Sequence, residues 1–228
     1  MSDARGADQN ADASGADQGA SLATVIVIAK EPRPGHAKTR LTPPLTPEQA
    51  AEVAGAALRD TLRATALVPA RELILAFDGD ASAWTPPGWR TVSQPSGGLA
   101  TRLVDAFAKA GPGPAVLVGM DTPQLRPEQL TAFDPVHYDA CLGLATDGGF
   151  WAVGFANPRE ASAALAGIPM STAHTGAAQR ARLEALGLRV QALDELTDVD
   201  TIESARDVAG LAPATEFAAA LLAAVVNA

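Results

Sequence analysis

An α/β fold with a mostly parallel sheet is what this sequence predicts, and three observations carry the prediction. Apolar runs of strand length alternate along the chain with stretches of helical length. The first of them, Leu22 to Ala29, is a continuous β-branched run, the pattern of a central strand covered on both faces. Charged candidates follow the ends of the runs, at Lys30, Asp121 and Asp147, and in open parallel sheets ligands bind beyond the carboxyl ends of the strands.

Taken in order, residues 1–20 hold no apolar run and repeat Gly-Ala-Asp-Gln from Gly6 and from Gly15, so they read as a disordered acidic tail. The tail has neither the charged start nor the apolar middle of a secretory signal. One domain with a C-terminal helix is expected over 21–228. After the central strand, Thr46-Pro47-Glu48-Gln49 starts a helix, with Thr46 as cap, Pro47 in the first turn and Gln49 closing a capping box. This helix should run to about Ala66. Glu72 to Phe77 and Trp89 to Ser93 are strands, Leu99 to Lys109 is a helix stopped by Gly111-Pro112-Gly113, and Ala115 to Val118 is a further apolar strand. Tyr138 to Ala145 and Phe150 to Phe155 are two more, separated by the Asp147-Gly148-Gly149 turn. A helix from Gly176 to Leu186 ends in a left-handed cap at Gly187, and Leu188 to Leu193 is the last strand. Asp200 can cap a following helix, with Glu203 three residues on and Gly210 ending it. Phe217-Ala218-Ala219-Ala220-Leu221-Leu222 covers the body's own core or a partner subunit, which leaves the oligomeric state open.

Composition narrows the class of protein. A chain of 228 residues with 47% hydrophobic and 4% aromatic content builds its core from Ala, Leu and Val, and at this size buries roughly 70% of its unfolded surface without a disulfide or metal staple. The single cysteine, Cys141, lies in an apolar stretch and reads as a buried structural thiol, which suits a reducing cytoplasm. The strongest apolar runs, at Leu22 and at Phe217, reach about half of the ~20 residues a spanning helix needs, so no membrane segment is expected. The formal charge of −9 argues against a nucleic-acid partner, which calls for a broad basic face.

Against that acidic background one loop is locally positive. Between Lys30 and Leu41 the apolar run gives way to a Pro/Gly turn carrying Lys30, Arg33, Lys38 and Arg40 against Glu31 alone. Cations concentrated in one loop point to a small anionic ligand such as a polyphosphate. Lys38-Thr39 lacks the two glycines of a P-loop, so that architecture is excluded. Asp121 stands where the Ala115 strand ends and Pro123 prevents continuation, and Asp147, Asp198 and Asp200 follow later strands. Two carboxylates ~4 Å apart repel by about 4 kcal/mol at an effective dielectric of ~20. A divalent cation between Asp121 and Asp200 removes that repulsion, and Mg²⁺ (or Mn²⁺) takes one or two carboxylates together with substrate phosphate and water. A turn-forming Asp121 and a capping Asp200 are the plain alternatives. Gly148 and Gly149 offer two backbone N–H groups to a ligand oxygen, or simply make a hairpin turn. Ser171 and Thr172 line an acceptor pocket or start a helix. The three histidines show no metal-ligand spacing, and no Ser/His/Asp order is present.

Five separated motifs together resemble one known family. Lys30 to Leu41 resembles its AKxPxPGxxKTRL signature, Gly119 to Leu125 its GxDxPxL, and Asp147 to Phe155 its DGGYxxxG, while Ser171-Thr172 and Asp198-Val199-Asp200-Thr201 match its later elements. From about residue 22 to about 212 the chain resembles the domain-of-unknown-function family of GT-A-type transferases, also described as radical-SAM/selenodomain-associated transferases. At longer range it is similar to phospholactate and molybdenum-cofactor guanylyltransferases. The resemblance implies a nucleotide-diphospho-sugar transferase fold, GT-A and Rossmann-like, with a mixed, mainly parallel sheet flanked by helices. It also implies phosphate contacts from Lys30, Arg33, Gly35, Lys38 and Arg40, and metal at Asp121 and Asp200. Where many members carry an acidic Gly-Asp-Leu-Gly sequence this chain has Gly97-Gly98-Leu99-Ala100, so any role of that acid is absent, while Arg102 is kept as a phosphate or acceptor contact.

Three functions compete at this stage. In nucleotidyl transfer an acceptor oxygen attacks the α-phosphorus of a nucleoside triphosphate and pyrophosphate leaves, with Lys38 and Arg40 stabilising the leaving group and Asp147 orienting nucleotide or acceptor. An acceptor that is itself anionic needs no general base, which suits a chain without an evident catalytic histidine. Glycosyl transfer from a nucleoside-diphosphate sugar needs a carboxylate base, which Asp147 provides. The literal Asp-x-Asp pairs at Asp78 and Asp198 do not decide between the two. The third reading is a nucleotide-binding protein without catalysis.

Overall fold

β1 (Leu22–Lys30) lies in the interior of the sheet, paired on both edges, as its unbroken apolar pattern requires. It pairs in parallel with β2 (Ala70–Asp78) from Leu22↔Ala70 to Lys30↔Asp78, and with β4 (Ala115–Val118) from Thr24↔Ala115 to Val27↔Val118. β3 (Arg90–Ser93) extends the sheet beyond β2. On the other side follow β6 (Phe150–Phe155), β5 (Ala140–Leu144) and β7 (Val190–Ala192). The computed structural model describes residues 22–226, and the acidic tail expected at 1–20 lies outside the described residues. Among the described residues the sheet has seven strands in the order β3-β2-β1-β4-β6-β5-β7, and β6 alone runs antiparallel to its neighbours. The mixed, mostly parallel sheet expected from the sequence is the one observed.

Helices cover both faces. Alternate β1 residues Ile26 and Ile28, with Leu117 of β4, face α2 (Leu99–Ala108), α4 (Ala161–Leu165) and α5 (Thr175–Ala185). Their neighbours Val25, Val27 and Ala29, with Val116 and Val118, face Leu58 and Leu62 of α1 (Pro47–Ala66). A short α3 (Pro127–Thr131) follows the β4 loop. The outer side of α1 is itself buried under α6 (Ile202–Leu211) and α7 (Glu216–Val226), where Val53 and Ala57 meet Val208, Phe217 and Leu221. The C-terminal apolar segment therefore covers the protein's own α1. Asp60 of α1 fixes it there by accepting from the N–H groups of Glu216 and Phe217, at 3.2 and 2.8 Å.

The α1 capping box forms as expected between Thr46 and Gln49, and Gly187 takes the left-handed conformation. Three expectations are corrected. Thr201, not Asp200, caps α6, pairing with Ser204 in a capping box, because the Thr201 hydroxyl reaches the Ser204 N–H at 3.3 Å. Gly210 does not end α6, which runs one residue further to Leu211. The last strand is also shorter than the Leu188 to Leu193 run suggested.

A charged cavity at the strand ends

The loop after β1 is pinned from below and charged above. Ala37, Leu41 and Leu45 are buried, the last two in the α1–α6–α7 cluster, so the residues between these anchors are held at the edge of the sheet. Lys38 enters a short 3-10 turn (Thr39–Leu41) from a left-handed conformation, φ 50°. Its side chain is only 9% exposed, and its Nζ lies 2.6 Å from Asp121 Oδ1 and also donates to the Val199 carbonyl. Arg40 pairs with the Asp200 carboxylate.

The carboxylates are set by two crossing segments. Gly119 donates to the Trp151 carbonyl at 3.0 Å as β4 ends, which directs the chain into Asp121. The Val199 N–H then bonds the Asp121 carbonyl at 2.9 Å, and Gln124 Nε2 bonds the Thr197 carbonyl at 2.7 Å. Val199 is wholly buried in the core, while Asp198 and Asp200 on either side of it both line the cavity. With Thr201 serving as the cap, the Asp200 carboxylate is left to Arg40 and the cavity.

Together these groups border a cavity of about 700 Å³ at the carboxyl ends of β1 and β4 and the start of β6. Of the residues singled out from the sequence, Lys30, Lys38, Arg40, Arg102, Asp121, Asp147, Gly149, Ser171, Thr172 and Asp200 line it. Lys30 Nζ donates to the His36 carbonyl at 3.0 Å. Arg102 donates to Asp78 Oδ2 at 2.9 Å and to the Gly97 carbonyl at 3.1 Å. Arg33 and Gly35 are not part of the lining: Arg33 turns back to Glu31, and Gly35 supplies a positive-φ turn, φ 74°.

Gly148 stands outside the lining too, and its expected role is corrected. Its N–H is taken by the Ala145 carbonyl at 3.0 Å, and the Gly149 N–H by Asp147 Oδ1 at 2.8 Å. Neither donor is available to a ligand as the turn stands. What the position demands is the absence of a side chain: φ is 88°, and a Cβ would fall 2.0 Å from the Ala173 carbonyl oxygen. The loop carrying Ser171 and Thr172 is thereby laid directly on the turn.

Asp198 is the acid whose weight the sequence reading underestimated. Burial pushes its pKa up to about 7, and Asp121, Asp147 and Asp200 add to the rise while Lys38 opposes it. The signal was present as the literal Asp198-Val199-Asp200 triplet, but nothing in the sequence says that this pair, unlike Asp78 and Asp80, is held among other acids.

Four aspartates, Asp121, Asp147, Asp198 and Asp200, therefore line the cavity. Among the described residues no three Asp, Glu, His or Cys side chains are close enough to form a ligand shell by themselves. Asp121 and Asp200, each already facing a cation, give an all-oxygen donor pair. That pair fits a hard divalent cation whose remaining positions are filled by phosphate oxygens and water.

A family model described as "Uncharacterized protein conserved in bacteria (DUF2064)" matches residues 58–172, just over half of the chain. No curated protein matches the chain. Among solved structures, a Desulfovibrio desulfuricans G20 protein provisionally assigned as a nucleotide-diphospho-sugar transferase is 29% identical, over 80% of this chain and 84% of its own, with a TM-score of 0.73. Rv0371c of Mycobacterium tuberculosis H37Rv is 26% identical, over 83% of this chain and 98% of its own, with a TM-score of 0.52. The 2-C-methyl-D-erythritol 4-phosphate cytidylyltransferase of Thermus thermophilus is 17% identical, over 85% and 99%, with a TM-score of 0.53. At that identity the likeness is one of fold, and the fold is that of nucleotide-diphospho-sugar transferases and cytidylyltransferases.

Proposed function

The chain belongs to the DUF2064 family of bacterial proteins, and from that premise we propose that it is a divalent-metal-dependent nucleotidyltransferase, which moves a nucleoside monophosphate from a triphosphate to a small acceptor and releases pyrophosphate. One observation carries the reading: Lys38 on Asp121 and Arg40 on Asp200 bring two cations and two carboxylates together inside one cavity at the strand ends. Such a pairing suits a metal–polyphosphate complex, which meets the carboxylates with its cation and the basic side chains with its oxygens. The names of neighbouring folds, a cytidylyltransferase and a provisional sugar-nucleotide transferase, support the same class.

In this proposal Lys30, Lys38 and Arg40 bind the triphosphate, and the Gly35 turn with Arg33 shapes the loop that presents them. Lys38 and Arg40 take up the charge that grows on the departing pyrophosphate. Asp121 and Asp200 would hold Mg²⁺ or Mn²⁺, which supplies charge neutralisation to the phosphate oxygens when bound. Arg102, Gly149, Ser171 and Thr172 position nucleotide and acceptor, Gly148 keeps the overlying loop in place, and Asp147 orients the acceptor oxygen. The reaction is then largely one of placement. Work as a single catalytic unit over 21–228, in the cytoplasm, belongs to the same proposal. So do the links to radical-SAM or selenodomain systems and to the guanylyltransferases, which rest on the motifs. No helix among the described residues is long and apolar enough to cross a membrane.

Glycosyl transfer is the second reading. It is favoured by the Asp147 carboxylate at the cavity wall and by the name of the 29% identical neighbour. Thermal stabilisation by the four nucleoside triphosphates and by a panel of nucleoside-diphosphate sugars, with and without Mg²⁺, separates the two. A ligand at a hundred times its dissociation constant adds about 2.7 kcal/mol, or several degrees in the unfolding midpoint. A Mg²⁺-dependent shift with one triphosphate is the expected outcome, and selective stabilisation by a sugar nucleotide would transfer the reading to glycosyl transfer.

A further inference from the structure

The cavity has two unlike halves. Lys30 ends β1, and Lys38 and Arg40 come from the loop that follows it. The wall built from the β5–β6 turn, the start of β6 and the loop leading into α5 presents the Asp147 carboxylate, the Ser171 and Thr172 side chains, Phe150 and Met170. Among the described residues lining that wall there is no Lys, Arg or His. Phe150 and Met170 pack with Leu117 into the cluster under α2, α4 and α5, so the surface they offer is apolar and held in place. Arg102 is not part of that wall: it comes from α2, across the cavity, where it is paired with Asp78 Oδ2 at 2.9 Å. Nor does the carboxylate on the wall, Asp147, invite an anion. A phosphate, phosphonate or carboxylate acceptor would there meet like charge without a counter-ion.

We infer that the acceptor is an uncharged, hydroxyl-bearing molecule with an apolar face, a sugar or polyol, seated against Phe150 and Met170 beneath Ser171 and Thr172. This rests on the nucleotidyl-transfer reading for the identity of the donor and revises the anionic acceptor suggested by the sequence. The acceptor hydroxyl oxygen forms a bond to the α-phosphorus, the bond from that phosphorus to the bridging oxygen breaks, and pyrophosphate leaves with the electron pair. The hydroxyl proton passes to Asp147, whose Oδ1 is held by the Gly149 N–H.

The methionines make the test direct. Met120 lines the recess beside Lys30, Lys38 and Arg40, whereas Met170 lines the apolar wall. With ¹³C-methyl methionine, each triphosphate with Mg²⁺ is added first, and a Met120 response reports donor binding. Its absence with every triphosphate counts against the proposed function rather than against the acceptor class. Onto the donor-bound protein are then titrated matched pairs: glucose and glucose 1-phosphate, N-acetylglucosamine and its 1-phosphate, glycerol and glycerol 3-phosphate. The Met170 methyl should respond to a neutral member at least about tenfold more tightly than to its phosphorylated partner. Ala173→Lys, which adds the cation the wall lacks, should narrow or reverse that preference. Tighter binding of phosphorylated members by the unmodified protein, or no Met170 response to any pair, would overturn the inference.

Discussion

Lys38 reaches from the loop after β1 to the Asp121 carboxylate and the Val199 carbonyl with most of its stem out of water. A lysine held that way contributes through two charged contacts that a surface lysine lacks. Lys38→Ala should weaken nucleotide binding about 10- to 100-fold, the range for loss of a charge-assisted contact, and isothermal titration with the stabilising triphosphate measures it. Affinity equal to that of the unmodified protein would reduce the loop to ordinary surface. Asp121→Asn keeps the shape of the side chain, so the ligand-free unfolding midpoint should stay within a few degrees. The Mg²⁺-dependent part of the nucleotide shift should vanish, and its survival would remove Asp121 from the metal-binding pair. Lys38, Arg40, Asp121 and Asp200 were all legible as candidates because chemistry-bearing residues stood where apolar runs stop. Asp198 was picked out with them by its place after a strand, but its burial among Asp121, Asp147 and Asp200 is a property of residues far apart in the chain and was not legible.

Between elements, the tightest constraint near the cavity is the contact of the Gly148 turn with the loop that carries Ser171 and Thr172. Gly148→Ala combines an unfavourable positive φ with a clash against the Ala173 carbonyl, and should cost about 2–4 kcal/mol. Hydrogen exchange offers a local readout, since the Gly176 N–H bonds the Gly148 carbonyl at 2.8 Å and should lose protection first. Phe217, wholly buried where α7 crosses α1, should cost about 3–5 kcal/mol on truncation to alanine, read as a lower urea midpoint with the cavity's ligand response retained. Local patterns were enough for β1, the Thr46 capping box and the Gly187 cap, since each rests on residues adjacent in sequence. They failed at the start of α6, where Asp200 and Thr201 are both good caps and the geometry of the Ser204 side chain decides. The short helices α3 and α4, five residues each, were also missed, since so few turns carry no periodicity.

For the molecule as a whole, one source of acid sensitivity lies at a junction of the sheet. Asp139 precedes β5 and is held by Arg189 before β7 through Nε and Nη2, both at 2.9 Å, and through the Arg189 N–H at 2.8 Å. Those bonds lower its pKa from 3.8 to about 2. Between these values the unfolded chain binds more protons than the folded one, so stability is present above pH 3.8 and is lost as the pH falls towards 2. Asp139→Asn should flatten the pH dependence of the urea midpoint across that window. At neutral pH its cost should stay below about 1 kcal/mol, since the pair is largely exposed.

β6 enters the sheet against the direction of its neighbours. Its first residues therefore arrive at the edge where the parallel strands end, and a single hairpin, β5–turn–β6, together with the loop resting on Gly148, supplies one entire wall of the cavity. The opposite wall is drawn from β1, β4 and the 198–200 segment. Two neighbouring stretches of chain thus form that wall as one contiguous unit. If the proposed division of the cavity holds, a chimera that exchanges residues 140–175 with a structural relative should change the choice of acceptor and leave triphosphate binding in place.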